Sequence, residues 1–254
     1  MERDDLASLA GFFAAGPFAP GGAVQLGEDA AHHMRVRRLA AGDRIYLTDG
    51  AGTQATGAIV RLAKHAADVA IDGVAHRGRV PAVHLLVPIA DRDRMLWLAE
   101  KCTEMGATSW RPVLWHRSRS VSPRGEGASF AARVHARMVS ALVQSHSPWL
   151  PVAHEDALLE QAILALPDDG TRLVLDASGE PIANVPLHVP VTIAVGPEGG
   201  VEPAERRSVS DAGFRPVSLG ANVLRFETAA IAALAVVRSA LAARPEAIPE
   251  RIDV

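Results

Sequence analysis

Two glycine-bearing segments near the C-terminus carry the residues best placed to do chemistry. The first is Gly196-Pro197-Glu198-Gly199-Gly200, and the second runs from Leu219 to Thr228. Each segment follows an apolar, strand-like run and precedes a helix-like stretch. Both are therefore predicted to be loops at the carboxyl ends of strands, where open α/β sheets bind ligands.

The first loop has the backbone freedom to hold a ligand with main-chain groups. Its glycines permit close approach of the backbone, and Pro197 stiffens the turn. No Lys-Ser or Lys-Thr pair follows the glycines, and the Gly-x-Gly-x-x-Gly spacing is absent, so the loop is neither a usual phosphate loop nor a dinucleotide fingerprint. Taken alone, the loop is equally compatible with a simple connection between strand and helix.

Charged residues mark the entrance to the helix that follows the second loop. Glu227 is compatible with stabilisation by the helix dipole, and Thr228 with an N-cap role. Arg225 follows a glycine-bearing turn so soon after a buried strand that it could point into a pocket. The second loop therefore favours a binding role more than the first does alone.

Length and composition predict a globular, soluble protein. The chain has 254 residues, 48% of them hydrophobic and 22% charged, which is ordinary for one large or two modest domains. Apolar stretches are broken before they reach transmembrane length, and the residues after Met1 lack the basic region of a secretory signal. We expect a cytoplasmic protein without a membrane segment.

Side chains suited to metal binding do not form a pattern. The single cysteine, Cys102, excludes an intramolecular disulfide and a cysteine-cluster zinc site. It lies in a helix-like stretch without a patterned histidine nearby, so a packing role is favoured over a nucleophile. The only adjacent histidines, His32 and His33, would point in different directions on a helix. No metal is expected.

Clustered arginines indicate nucleic-acid binding more than the net charge does. The net charge of −3 argues against a uniformly basic surface. The planar guanidinium suits phosphate and base edges, and two groups of arginines stand close in sequence: Arg35, Arg37 and Arg38, then Arg111, Arg117, Arg119 and Arg124. For any single one of them, a solvated surface position is an equally good explanation.

Strand and helix patterns divide the chain at about residue 80, where Gly78 to Pro81 resembles a hinge. Residues 1–80 are predicted to form a small β-barrel domain with one helix, 28–39. Residues 81–254 alternate strands with helices, which implies a mainly parallel sheet with helices on both faces. The predicted strands are 23–26, 44–48, 54–62, 67–74, 84–89, 110–115, 172–176, 191–195 and 214–219, and the predicted helices of the second domain are 92–105, 128–144, 157–166, 203–212 and 228–243.

Short motifs in the same order resemble the RsmE family of ribosomal RNA methyltransferases. They are His33 to Leu39 with Gly42-Asp43, Lys101 to Ala107, Arg117-Ser118, Gln144-Ser145, and the two glycine loops, which read G-P-E-G-G and L-G-x-x-x-L-R-x-E-T-A. The resemblance implies a SPOUT-type, trefoil-knotted α/β sheet with helices on both faces, preceded by a PUA-like RNA-binding β-barrel. The knot follows from the resemblance alone, since chains are generally unknotted.

The same resemblance implies S-adenosylmethionine-dependent methylation of N3 of a uridine in 16S rRNA of the small ribosomal subunit, by a homodimer. The residues that it implies for the cofactor are Leu175, Gly196, Glu198, Gly199, Gly200, Leu219, Gly220, Leu224, Arg225, Glu227 and Thr228. RNA binding is predicted for Arg35, Arg37, Arg38, Arg117, Arg119 and Gln144.

Methylation at N3 requires the loss of a proton, because protonated uracil N3 is a poor nucleophile. A neighbouring cation lowers the pKa of the base by stabilising its anion, and a carboxylate or water accepts the proton. Arg225 is the predicted cation. Glu198 or Glu227 is the candidate acceptor, although either can instead orient the loop backbone or cap a helix.

Two positions depart from the family pattern. The motifs therefore indicate the RNA substrate less firmly than they indicate the methyl donor. His146-Ser147-Pro148 stands where an arginine usually follows Gln144-Ser145, and Asn222 stands where a basic residue is common. Two alternatives stay open: a SPOUT methyltransferase acting on another rRNA or tRNA nucleotide, and a non-catalytic RNA-binding factor for ribosome assembly. A nucleotide-binding hydrolase is disfavoured, since neither a phosphate-loop lysine nor a nucleophile with its base is found.

Overall fold

The computed structural model describes residues 8–118 and 127–243, and these fall into two compact units. The first unit holds residues 8–79 together with 142–150. The second holds the described parts of 80–141 and 151–243. Predicted contact residue Arg119, and Arg124 of the same arginine group, lie outside the described residues.

The first unit is built on a five-stranded sheet in the order β1-β3-β4-β5-β2. β1 pairs with β3 in parallel, and the other neighbours are antiparallel. The curled sheet agrees with the predicted barrel-like domain, although β1 was not predicted. The strands are β1 Ala10–Phe13, β2 Ala23–Leu26, β3 Arg44–Thr48, β4 Thr53–Leu62 and β5 Ala67–His76.

The helix α1 Glu28–Val36 covers the core of this unit. It buries Ala31 and Met34 in a cluster with β3 and β4 side chains such as Ile45 and Ala55. The prediction that the helix continues to residue 39 was wrong. The chain turns at Arg38, whose φ of 60° is left-handed, so the arginine segment ends the helix rather than extending it.

The segment 142–150 completes the first unit, and nothing in the sequence pattern indicated this. The hydroxyl of the fully buried Tyr46 donates to the carbonyl of Val143, and its ring lies 4.9 Å from that of His146. The amide of Gly52 donates to Pro148 O at 2.8 Å. The backbone after Gln144 is thus held by the N-terminal sheet.

The second unit contains a sheet in the order β12-β10-β11-β6-β7-β8, with β9 also paired to β7. All of its pairings are parallel, as the alternation of strands and helices predicted. Its strands are β6 Val83–Pro88, β7 Ser109–Leu114, β8 Val152–Ala153, β9 Ala157–Leu158, β10 Thr171–Pro181, β11 Val191–Ala194 and β12 Arg215–Ser218. Its helices are α2 Arg92–Glu104, α3 Gly127–Gln144, whose residues from 142 onward belong to the first unit, α4 Leu159–Leu164, α5 Pro203–Asp211 and α6 Phe226–Ala242.

Helices cover both faces of this sheet, which explains why its central strands are apolar throughout. Every residue of β11 is buried, as expected for a parallel strand covered on both sides. Leu159 of α4 and Val209 of α5 pack in one cluster with Leu86 and Ala194 of the sheet. α6 packs against β6, β11 and α2. Within the described ranges, none of the helices combines the length and apolar character that a membrane crossing requires.

Helix boundaries in the second unit differ from the prediction at α4 and α6. α4 is a six-residue helix, because the residues before it form β9. α6 begins at Phe226, and its N-cap is Arg225, which has extended backbone angles. Thr228 is therefore inside the first turn, and its predicted N-cap role was wrong. Glu227 does lie in the first turn, where a negative charge is favourable.

Candidate active site

Three neighbouring strands bring the predicted cofactor segments to one edge of the parallel sheet. β10 pairs Val174 with Ala194 of β11 and Leu175 with Val217 of β12. The strands run in the same direction, so the two glycine loops leave β11 and β12 at the same edge, beside Leu175, where the register of β10 with β12 shifts. The prediction that these loops follow strand ends and precede helices is confirmed.

The first loop is closely surrounded at its glycines. A Cβ atom at Gly196 would lie 2.6 Å from Val201 Cγ2, and one at Gly199 would lie 3.1 Å from Arg117 Cβ. Gly200 has a φ of +83°, which side chains rarely adopt. The space that a side chain would need at these positions is therefore already occupied by Val201 and Arg117.

Arg117, predicted to contact RNA, holds this loop. Its Nε donates to Glu202 Oε1 at 2.6 Å and its Nη1 donates to Gly199 O at 2.5 Å. Glu202 is the N-cap of α5 and forms a capping box with Glu205. The turn after β7 is therefore tied to the first loop. The side chain of Arg117 keeps 46% of its exposure, so an RNA contact remains a prediction.

The second loop exposes apolar side chains and one arginine. Val223 is 98% exposed and Leu224 is 36% exposed, which leaves two apolar surfaces beside the glycine-bearing turn at Gly220. Arg225 is exposed, and in the described part of the chain no hydrogen bond or ion pair engages its guanidinium. The sequence analysis expected this arginine to point into a pocket, whereas the structure places it at the surface, and its role as the catalytic cation stays a prediction.

Arg94, in the first turn of α2, is the charged residue of this edge that the sequence analysis missed. Its Nη2 donates to Glu198 Oε1 at 2.5 Å, and its Nε donates to Glu227 Oε2 at 3.1 Å. Its guanidinium carbon lies 4.4 Å from the centre of the Phe226 ring. These partners are 104 and 133 residues away in sequence. The usable signal was the position of Arg94 in the first turn of a helix that begins shortly after an apolar strand.

The ion pair of Arg94 with Glu227 is largely removed from water. Glu227 is 8% exposed, and the side chain of Arg94 is 24% exposed. Burial alone lowers the pKa of Arg94, but hydrogen bonds and charges from Glu227 and Glu198 outweigh it and raise the pKa above its ordinary value. Arg94 is therefore a permanent cation at this edge.

The two candidate proton acceptors differ in access. Both carboxylates share the Arg94 guanidinium. The side chain of Glu198 is 53% exposed, whereas that of Glu227 is 11% exposed. Of the two, Glu198 can meet a substrate from solvent, and Glu227 is positioned to orient Arg94 and the start of α6.

The strand that carries Leu175 is interrupted directly after it. The register of β10 with β12 shifts between Leu175 and Glu180, which leaves residues 176–179 outside the ladder. Asp176 accepts hydrogen bonds from the Ser178 hydroxyl at 2.7 Å and amide at 2.9 Å, and it pairs with Arg206 of α5. These bonds lower the pKa of Asp176 to about 2.

The predicted RNA-contact residues of the first unit lie at the end of α1. Arg35, Arg37 and Arg38 are all exposed. Arg35 donates to the carbonyls of Ala63 and Lys64 at 2.7 and 2.9 Å, so part of its guanidinium is already hydrogen-bonded to the β4–β5 turn. Arg37 lines an open groove of about 600 Å³ with Arg44 and Leu39. Gln144, the last residue of α3, is exposed.

Cys102 is fully buried in α2, and burial raises the pKa of its thiol well above the ordinary value. This agrees with the predicted packing role. Among the residues that the structure describes, no group of three or more His, Cys, Asp or Glu side chains is arranged to hold a metal ion.

Comparison with known proteins gives matches along most of the chain. Residues 78–238 match the family model of an RNA methyltransferase domain, and residues 26–72 match that of an RNA methyltransferase PUA domain. Ribosomal RNA small subunit methyltransferase E from Mycobacterium bovis is 30% identical over 240 residues, covering 85% of each chain. The protein of the same name from Synechocystis is 29% identical over 221 residues, covering 83% of this chain and 71% of the relative.

Solved structures give the same result. The crystal structure of a ribosomal RNA small subunit methyltransferase E from Neisseria gonorrhoeae, bound to S-adenosyl methionine, superposes with a TM-score of 0.82. It is 27% identical, and the alignment covers 91% of this chain and 98% of that one. These matches confirm the predicted α/β fold with a PUA-like N-terminal domain, and the chain belongs to the ribosomal RNA small subunit methyltransferase E family.

Proposed function

We propose that this protein transfers a methyl group from S-adenosylmethionine to N3 of a uridine in 16S rRNA of the small ribosomal subunit. The observation that carries the proposal is the convergence of Leu175 and the two glycine loops at one edge of the sheet, in a chain of this methyltransferase family. S-adenosylmethionine is present in the structure of the relative from Neisseria gonorrhoeae.

The residues at this edge fit such a cofactor. Gly196, Gly199 and Gly200 form a backbone cradle in which a Cβ would meet a neighbour, and the exposed Leu224 offers an apolar surface for a base. Leu175, just before the interruption in β10, and Leu219 and Gly220, directly after β12, complete the set. When bound, the cofactor supplies an electrophilic methyl group to a nucleophile held beside it.

The protein must make uracil N3 nucleophilic, and two of its residues suit this task. The exposed guanidinium of Arg225 stabilises the anion that forms when N3 loses its proton. Glu198 accepts that proton, because its carboxylate is half exposed while Glu227 is buried. Positioning of the base against the methyl donor supplies most of the rate.

Recognition of the RNA falls to the exposed arginines. Arg37 and Arg38 at the end of α1, Arg117 after β7 and Gln144 are exposed or partly exposed, and guanidinium groups suit phosphates. The protein acts in the cytoplasm as a homodimer, with the alanine-rich helix α6 at the contact between subunits. Half-buried residues on α6, among them Ala232 and Val236, leave an apolar stripe for it.

The proposal is tested by the methylation of 16S rRNA and small subunits prepared from a strain that lacks the enzyme. Arg225→Ala is expected to reduce transfer by at least about a hundredfold, since it removes an interaction made in the transition state, while S-adenosylmethionine binding persists. Arg207→Met, on the exposed face of α5, is the control and is expected to retain the activity of the wild type.

The nucleotide and atom that carry the new methyl group identify the substrate. Mapping of the modified nucleotide should find N3-methyluridine in 16S rRNA. A modified nucleotide in another RNA would keep the enzyme but overturn the substrate. Near-normal transfer by Arg225→Ala would remove that residue from the mechanism.

A further inference from the structure

Arg94 is held in one orientation by its own surroundings. Its backbone amide donates to Oδ1 of Asp91, the N-cap of α2, at 3.1 Å. Its guanidinium lies over the ring of Phe226, which is 3% exposed. Because both the backbone and the end of the side chain are fixed, Arg94 presents its donors in set directions.

The two carboxylates that Arg94 meets belong to segments that follow different strands. Glu198 is in the first glycine loop, and Glu227 is in the first turn of the helix after the second loop. Among the described residues, Arg94 is the only cation within ion-pair distance of either carboxylate. Its side chain therefore connects the segments that follow the carboxyl ends of β6, β11 and β12.

We propose that Arg94 is a positioning residue that holds the two glycine loops in the arrangement that binds S-adenosylmethionine. The inference rests on the proposed function. Arg94 acts through Glu198 and Glu227 and is not assigned a contact with the cofactor. A guanidinium is required because one planar group serves both carboxylates at once, whereas a lysine ammonium is a point charge on a flexible stem.

The test compares cofactor affinity and kinetics in four proteins: the wild type, Arg94→Met, Arg94→Lys and the control Arg207→Met. Calorimetry gives the Kd for S-adenosylmethionine, and initial rates give its KM and kcat. Arg94→Met is expected to raise Kd and KM at least about tenfold, because loops that shift move the binding groups. The kcat at saturating cofactor should fall less than KM rises. Arg94→Lys should recover part of the affinity, and Arg207→Met should stay within about twofold of the wild type.

Thermal unfolding without cofactor identifies a purely structural effect. A folded Arg94→Met protein whose Kd lies within twofold of the wild type overturns the inference, whatever its melting temperature. No binding by the folded wild type would instead overturn the proposed function, and the inference with it.

A second pair of variants keeps the test decisive if Arg94→Met does not fold. Glu198→Gln, in an exposed loop, removes the ion pair between residues 94 and 198 and is expected to raise the Kd for S-adenosylmethionine several-fold. Combined with Arg94→Lys, its effect should be less than the product of the two single effects, since both changes weaken the same contact. Fully multiplicative effects would show that Arg94 does not act through Glu198.

Discussion

At the carboxyl edge of the parallel sheet, arginines connect loops that the backbone alone does not join. Arg94 joins the two glycine loops, Arg117 joins the turn after β7 to the first of them, and Arg206 joins α5 to the interruption in β10. The planar guanidinium suits such bridges because it offers several donors in fixed directions. Arg225 is left without such a tie among the described residues, which is the property that its proposed role requires.

Asp176 allows a prediction with a defined pH dependence. Hydrogen bonds from Ser178 and Arg206 lower its pKa to about 2 in the folded protein, against about 3.9 in an unfolded chain. The stabilisation is therefore fully present above about pH 4 and is lost as the pH falls toward 2. Asp176→Asn should lower the free energy of unfolding at pH 7 by about 1 kcal/mol, less than the full shift implies, because Arg206 is exposed to screening. The difference from the wild type should fall to about half by pH 3.

Urea unfolding at pH 7, 4 and 3 measures this difference. Asp168→Asn, which alters an exposed carboxylate, should stay within about 0.5 kcal/mol of the wild type at each pH. A loss for Asp176→Asn that is the same at pH 7 and pH 3 would contradict the assignment of the low pKa.

At the scale of elements, the long and strongly patterned segments could be predicted from the sequence. β6, β11 and helix α2 are apolar runs or amphipathic stretches bounded by clear signals, such as Gly106 with its φ of +69° after α2. β8 and β9 are two residues each, too short to show a period. Their existence depends on pairing with β7, which is a tertiary property.

The candidate site was predictable to the level of its loops but not of its contacts. The glycine spacing and the apolar runs before it predicted that both loops follow strand ends, which the structure confirms, and ligand binding there stays a prediction. The link from Arg94 to Glu198 and Glu227 spans more than a hundred residues, and no local pattern encodes such a pair. The engagement of Arg117 by Gly199 was hidden for the same reason.

The first glycine loop gives the prediction that belongs to this scale. A side chain at Gly199 would meet Arg117 Cβ at 3.1 Å and disturb the bond from Arg117 to the loop carbonyl. Gly199→Val should therefore weaken S-adenosylmethionine binding at least about tenfold, through overpacking that costs about 1–3 kcal/mol. Gly27→Val is the matched control, because a Cβ at Gly27 has no atom within 4 Å. Calorimetry that finds equal affinity for the two variants would contradict a cofactor role for this loop.

In the molecule as a whole, the compact units are not continuous stretches of the chain. The first unit takes residues 8–79 and also 142–150, although the sequence pattern placed a boundary at about residue 80. Trp149 shows how firmly the second piece is attached: its Nε1 donates to Arg77 O at 3.1 Å, and the guanidinium of Arg79 lies 3.9 Å from its ring centre. The departure from the family pattern at His146-Ser147-Pro148 thus lies in a segment that packs against the N-terminal sheet.

Two glycines with nearly the same backbone angle test whether this attachment stabilises the protein. Gly52 and Gly42 have φ of +99° and +98°, so alanine introduces similar backbone strain at both, about 1–2 kcal/mol. A Cβ at Gly52 would lie 2.3 Å from the Trp149 ring, whereas one at Gly42 has no atom within 4 Å. Gly52→Ala should therefore cost about 1–3 kcal/mol more than Gly42→Ala. It should also shift the summed emission of the four tryptophans to the red, because the Trp149 ring must leave its site against the backbone. Urea unfolding and emission spectra of the two variants measure both effects; equal losses of stability with unchanged spectra would mean that residues 142–150 contribute little to the N-terminal unit.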